Sequence, residues 1–278
     1  MMRLYTTAAR VAAVFLILLA GASPLPASAA ADRAPDFARA FVIEIDGVRR
    51  SGRAATTPLP PASLTKMMSG LLVIEARRSL DEKVTASRYA VAATGSRLGL
   101  RPGDTLTAAD LLTAMLVASS NDACRALAEW HSGSEAKFVQ AMNVRARELG
   151  MARTRFVNAC GHDARGHVST ASDLVKLARA AMAEPEYARR AAIRETTVQT
   201  VDGRRRFTVT NHNLLIGRSE GAYGVKSGFT AEAGKCIAAL SRRGGHEVLL
   251  VMLNAKNRWW DAHDALDYAF LRAPTLPR

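Results

Sequence analysis

Cysteine is scarce in this sequence: Cys124, Cys160 and Cys236 are the only three among 278 residues, too few for a disulfide-dense scaffold. Their odd number leaves two arrangements open, one bridge with a free thiol or no bridge at all. No Cys-x-x-Cys occurs, and the six histidines show no H-E-x-x-H spacing. Zinc-ribbon, dithiol-redox and zinc-protease chemistry therefore find no support, and no metal ligand is assigned. Aromatic residues are only 6% of the chain, and zinc-finger, basic-zipper and RNA-recognition patterns are missing. The formal net charge of +13 thus does not by itself mark a nucleic-acid binder. No apolar run reaches the roughly 20 residues needed to cross a bilayer. Repeats and low-complexity linkers are absent too. What is present, 49% hydrophobic and 23% charged residues, excludes a disordered or collagen-like chain and supplies a sizeable core.

The N-terminus changes the charge balance. Arg3 and Arg10, with no acid among them, precede an apolar stretch at 11–20; Pro24 and Pro26 break it, and Ala27-Ser28-Ala29 supplies a small-x-small site. This predicts a Sec-type signal peptide over residues 1–29, and hence export to the periplasm or extracytoplasmic wall space. Its removal leaves 249 residues and a net charge of +11. That charge either faces an anionic cell-envelope surface or is simply solvated. Residues 30–278, opening with a short leader to 36, read as one domain.

Periodicity organises the rest. Phe41-Val-Ile-Glu-Ile45 followed by Asp46-Gly47 reads as a strand entering a hairpin. After Pro60-Pro61 the period changes, and Leu64, Met67, Met68, Leu71 and Leu72 mark a helix to about Arg78. Thr107-x-x-Asp110 caps a second helix, which Ser119-Ser120-Asn121-Asp122 interrupts before it resumes at 123–130. Helices follow at 134–149, closed by Gly150, with Phe138, Met142 and Leu149 as core candidates, and from Thr170-x-x-Asp173 to before Pro185. Strands at 222–227, 233–241 and 247–254 precede a last helix at 258–271. The predicted class is α/β: an antiparallel sheet packed by terminal helices beside a mostly helical subregion.

Three short motifs carry chemistry. Ser63-Leu64-Thr65-Lys66 puts a hydroxyl and an amine three residues apart at a helix start, on one face. An unprotonated lysine there can activate the serine as a nucleophile, and a helix N-terminus favours the negative charge that develops. The pattern alone is weak, because Ser134-Glu135-Ala136-Lys137 repeats it as a helix cap followed by a solvated lysine. Ser63 is distinguished by its company. Ser119-Ser120-Asn121 is the only Ser-x-Asn in the chain, and Lys226-Ser227-Gly228, before Phe229, is the only Lys-[Ser/Thr]-Gly.

This ordered trio resembles the penicillin-recognising serine enzymes. Within them the chain is most similar to the low-molecular-mass penicillin-binding proteins of the serine-type D-alanyl-D-alanine carboxypeptidase family. Further segments in family order carry the likeness over nearly all of residues 30–278: Pro61 to Met68, Asn121-Asp-Ala123, Glu148 to Met151, Phe156-x-Asn158, Ser169 to Asp173 and Ala233-Gly234. The resemblance implies a β-lactamase/transpeptidase-like fold, peptidoglycan stem peptides as substrate, β-lactams as covalent inhibitors, and no metal or organic cofactor. It implies roles as well. Ser63 attacks the carbonyl between two D-alanines to give an acyl-enzyme, Lys66 takes its proton, and Ser119 relays a proton to the leaving amine. Asn121 binds the substrate backbone, Lys226 and Ser227 face the terminal carboxylate, and Lys226 helps keep Lys66 neutral. Strand residues Gly228 and Phe229 complete the binding edge, with the N–H groups of Ser63 and Phe229 as oxyanion donors.

Departures from the family pattern matter. Lys-Ser-Gly replaces the commoner Lys-Thr-Gly, Ser120 stands where glycine is frequent, and Phe229 where many carboxypeptidases carry histidine. A phenylalanine there, in a short chain, resembles the subgroup that cleaves D-alanyl cross-links as endopeptidases. Arg258 is the candidate for an arginine that many relatives carry after the last core strand, although Trp259-Trp260 blur the register. The C-terminal β domain and membrane anchor of many relatives are expected to be missing. No Glu-x-x-Leu-Asn lies between Asn121 and Lys226, which disfavours a β-lactamase. A reading of a different class is a catalytically silent wall-binding protein that keeps the fold and uses its charge.

Overall fold

Strands buried on both faces show unbroken apolar runs instead of alternation, and Val248 to Leu253 is such a run. A computed structural model describes residues 36–274; the signal-peptide segment 1–29 and most of the leader lie outside the described residues. The described elements begin with β1 (Ala38–Ile45), β2 (Val48–Arg53), a 3₁₀ turn (Ala62–Thr65), α1 (Lys66–Glu75), β3 (Lys83–Thr85) and α2 (Arg88–Val91). They continue through β4 (Thr105–Thr107), α3 (Ala108–Val117), α4 (Asn121–Ser132), α5 (Glu135–Glu148), α6 (Ala171–Ala183) and α7 (Pro185–Ala191). Next come β5 (Glu195–Gln199), β6 (Arg206–Thr210), β7 (Ala222–Thr230), β8 (Gly234–Arg243), β9 (His246–Ala255) and α8 (Arg258–Phe270).

Five strands form one antiparallel sheet in the order β2-β1-β9-β8-β7. Alternate residues feed two cores. Phe41, Ile43, Ile237, Val248, Leu250 and Met252 pack against Ala262, Ala265, Leu266 and Ala269 of α8. Val42, Ala238, Leu249, Val251 and Leu253 face the larger core, built on α1, α3, α4 and α6. A buried leucine in such a layer is worth about 1.5–3 kcal/mol, enough to pin the register. Among the described residues no helix is long and apolar enough to cross a membrane.

The caps read from sequence form as expected. Thr107, Ser134 and Thr170 each accept a hydrogen bond from the backbone N–H three residues on. The β3–β4 pair, the β5–β6 hairpin, α2 and α7 do not follow from the sequence reading. β3 and β4 are three residues each and pair across a long intervening segment, so no local periodicity marks them. The β5–β6 hairpin did leave a signal, Asp202-Gly203 between two Thr-Val segments, each with its valine buried.

Candidate active site

The turn carrying Ser63 is held by its neighbours. Ala62 adopts φ +50°, a left-handed conformation costly for a residue with a Cβ. Thr65 Oγ1 donates to the Ala62 carbonyl (2.8 Å) and lies 2.8 Å from His167 Nε2. Because His167 Nδ1 accepts from the Val157 N–H (3.0 Å), Nε2 carries the proton and donates to Thr65. Burial holds this imidazole neutral, its pKa pushed down to about 4. The sequence predicted one α-helix running from Ser63 to about Arg78. Instead a 3₁₀ turn precedes α1, and the helix stops at Glu75. The difference favours the pairing, since residues three apart eclipse in a 3₁₀ turn. Lys66 Nζ lies 3.0 Å from Ser63 Oγ and donates to the Cys160 carbonyl at 2.6 Å.

Ser63 is half-buried, but Lys66 and Lys226 lie beneath the cleft floor at 0% and 2% exposure. Burial first, and the Lys226 charge second, hold the Lys66 amine well below the ordinary lysine range. Burial and Arg258 bring Lys226 itself down to about 7. The sequence reading credited the neighbouring cation; desolvation outweighs it. These shifts have a consequence for stability. Between about pH 7 and 10 the unfolded chain binds protons on both lysines that the folded chain excludes, so stability rises with pH across that window. Urea unfolding at pH 7 and pH 9.5 should show this rise, and Lys226→Met should flatten it. An equal slope in the variant would show that Lys226 is not the source.

The second wall comes from the break between α3 and α4. Ser119 (φ +58°) and Asn121 both line the cleft and are 5% and 7% exposed. Asn121 Nδ2 donates to the Thr94 carbonyl (2.6 Å) and lies 3.1 Å from His162 Nε2, while its Oδ1 is buried without a partner. A carbonyl oxygen left in this state is an acceptor for an incoming N–H. The adjacent Asp122 accepts from the backbone N–H groups of Leu98, Gly99 and Leu100, tying the 94–100 segment to α4.

The third wall is β7. Ser227 Oγ donates to the His212 carbonyl (3.2 Å), and Lys226 Nζ to the Ser227 carbonyl (3.0 Å). Gly228 has no room for a side chain: a Cβ there would sit 2.7 Å from Ser63 N. The edge of β7 therefore runs against the Ser63 turn. Phe229, 63% exposed, stands at the cleft mouth. Arg258 Nη1 donates to the Gly228 carbonyl (2.6 Å), which places this arginine at the cleft despite the blurred register.

Ser63, Ser119, Asn121, Ser227, Gly228 and Phe229 thus line one cleft of about 630 Å³, with the two lysines under it. Among the described residues no aspartate or glutamate lines this cleft, whereas Arg258, His162 and His212 do. Nor do the described residues contain a group of three or more His, Cys, Asp or Glu side chains placed to hold a metal ion. The sequence reading missed His162, His212 and the 158–162 segment as parts of the wall. Phe156-x-Asn158 was its one local signal, since Asn158 Oδ1 accepts from the N–H groups of Cys160, Gly161 and His162. The cysteine question resolves as well: Cys124 bonds Cys160, and Cys236 is free and buried.

A comparison with known proteins adds to this geometry. The D-alanyl-D-alanine carboxypeptidase family of serine peptidases matches residues 51–257. The chain belongs to this family. It is 35% identical over 226 residues to a D-alanyl-D-alanine carboxypeptidase of Bacillus subtilis, covering 79% of this chain and 58% of that one. The chain thus spans little more than half the length of that relative. A D-alanyl-D-alanine endopeptidase of Pseudomonas aeruginosa is 32% identical over 213 residues, 74% of this chain and 67% of that one. Among solved structures, the DD-transpeptidase of Streptomyces K15 superposes with a TM-score of 0.80 at 29% identity, covering 86% of this chain and 99% of that one. The fold expected of a D-alanyl-D-alanine carboxypeptidase family member, a mixed α/β penicillin-binding fold, is the fold observed.

Proposed function

We propose that this protein is a serine D-alanyl-D-alanine carboxypeptidase that removes the terminal D-alanine from peptidoglycan stem peptides. The observation that carries the reading is the 3.0 Å pairing of Ser63 with a desolvated Lys66 at the base of a cationic cleft. Ser63 Oγ attacks the carbonyl carbon between the two D-alanines as its proton passes to Lys66 Nζ. The backbone N–H groups of Ser63 and Phe229 receive the oxyanion. Collapse of the tetrahedral adduct expels D-alanine, its amine protonated through Ser119, and leaves the shortened peptide esterified to Ser63. Water, deprotonated by the same lysine, then cleaves the ester and restores the serine. Asn121 aligns the peptide through its unpartnered Oδ1, and Ser227 and Arg258 meet the terminal carboxylate, with Lys226 supplying charge from beneath, in a cleft whose described lining has no competing acid. β-Lactams would acylate the same serine. The step uses only these side chains and water.

Export by the predicted signal peptide, action in the extracytoplasmic wall space, and contact of the +11 surface with an anionic envelope belong to the same proposal. Fluorescent penicillin is expected to label the parent protein at Ser63 and not Ser63→Ala; equal labelling of both would overturn the assignment. The exposed Phe229 favours a second reading, endopeptidase action on cross-links. Mass spectrometry of digested wall fragments separates the two: loss of one D-alanine from monomers supports the first, and splitting of dimers without it supports the second. Wall binding with neither turnover would instead indicate a silent binding protein.

A further inference from the structure

The Cys124–Cys160 disulfide joins two walls of the cleft at their most consequential points. Cys124 lies one helical turn after Asn121 on α4, so it travels with the Ser119–Asn121 wall. Cys160 belongs to the irregular segment 158–162, whose backbone serves Ser63 and Lys66 directly. The Cys160 carbonyl is the 2.6 Å acceptor of Lys66 Nζ. Gly161, at φ +88°, packs so closely that a Cβ would lie 2.0 Å from the Ala62 carbonyl oxygen and 2.9 Å from Ser63 N. Within the segment, Asn158 Oδ1 collects three N–H groups and its Nδ2 donates to the His162 carbonyl at 2.9 Å. Asn158 therefore shapes the segment, and the disulfide ties the shaped segment to α4.

We infer that the Cys124–Cys160 disulfide is a positioning element for the Ser63–Lys66 pair, fixing the Cys160 carbonyl on Lys66 Nζ and closing that side of the cleft floor. This rests on the reading of Ser63 and Lys66 given above. A neutral amine has two N–H bonds and one lone pair. Donating one N–H to a fixed carbonyl restricts rotation about Cε–Nζ and turns the lone pair toward the Ser63 hydroxyl. The same packing excludes water from an amine whose low basicity comes mainly from burial. The titratable groups near Lys66 are Lys226, His162 and His212, all cationic when protonated; Lys226 and His212 lie outside the segment that the disulfide ties, whereas His162 lies within it and is also held 3.1 Å from Asn121 Nδ2. Without the bridge the segment keeps its Asn158 hydrogen bonds but loses its covalent tie to α4. Water then reaches Nζ, and the amine becomes more basic.

The test compares the parent with C124A/C160A and with C124V/C160A, the second refilling the space left by sulfur. Acylation by fluorescent penicillin is measured from pH 5 to 9, with folding checked by circular dichroism. The rate in folded variants should fall by about tenfold to a hundredfold, and the acidic limb of its pH profile should move up by about half a unit or more. A rate and profile equal to the parent's would overturn the inference. So would a lower rate on an unchanged profile, or failure of both variants to fold, each of which assigns the disulfide to stability alone. Absence of labelling in the parent is a separate result: it overturns the Ser63–Lys66 reading, and this inference with it.

Discussion

Lys66→Met is expected to lower penicillin acylation of Ser63 by at least about 10³-fold while leaving the protein folded with a melting temperature close to the parent's. The activity loss follows from removing the group 3.0 Å from Ser63 Oγ; no acidic side chain among the described residues of the cleft wall can replace it as a base. The stability expectation comes from two opposed effects. Methionine spares the desolvation of an amine at 0% exposure, which favours the variant. It also orphans the buried Cys160 carbonyl, at a cost of about 1–3 kcal/mol. The two are of similar size. Intact labelling in Lys66→Met would remove Lys66 from the mechanism, whereas a collapsed melting temperature would make its role structural.

Gly228→Ala should reduce acylation about a hundredfold and lower stability by about 1–3 kcal/mol, the cost of forcing a methyl group into a filled space. At this position the backbone is an ordinary strand, so alanine carries no conformational penalty. The added methyl group meets Ser63 N at 2.7 Å, Ala62 Cβ at 3.0 Å and Leu64 N at 3.3 Å. Two of those atoms are backbone and cannot rotate away. β7 must therefore retreat from the Ser63 turn, carrying the Phe229 N–H away from the place where the oxyanion would form. A rate like the parent's would mean that this distance is not critical. Gly161→Ala differs in kind: it combines φ +88° with a 2.0 Å clash and should impair folding itself.

Much of the fold was legible because its signals are local. Thr107, Ser134 and Thr170 cap helices through atoms three residues away, and that distance is fixed by helix geometry wherever the helix lies. The strand runs at β8 and β9 are apolar on both faces because helices cover both, and the composition records that directly. The β3–β4 pair left no such record. Its strands are short, half exposed and paired through residues twenty or more positions apart.

The candidate site divides the same way. By itself the sequence determined the identity and order of the three motifs and the family they resemble, since each is a run of a few residues. The choice between Ser63-x-x-Lys66 and Ser134-x-x-Lys137 needed the neighbouring motifs, and the structure supplies the reason. Ser134 Oγ caps the N–H of an exposed Lys137, whereas Lys66 is sealed beneath β7 and the 158–162 segment. The two sequences are chemically alike, and only burial makes one lysine a base. Tertiary structure alone also decided the pairing of Cys124 with Cys160, the placement of Arg258 on the Gly228 carbonyl, and the predominance of desolvation over the Lys226 charge. Each depends on which groups far apart in the chain exclude water from one another, a quantity that no local pattern of residues encodes.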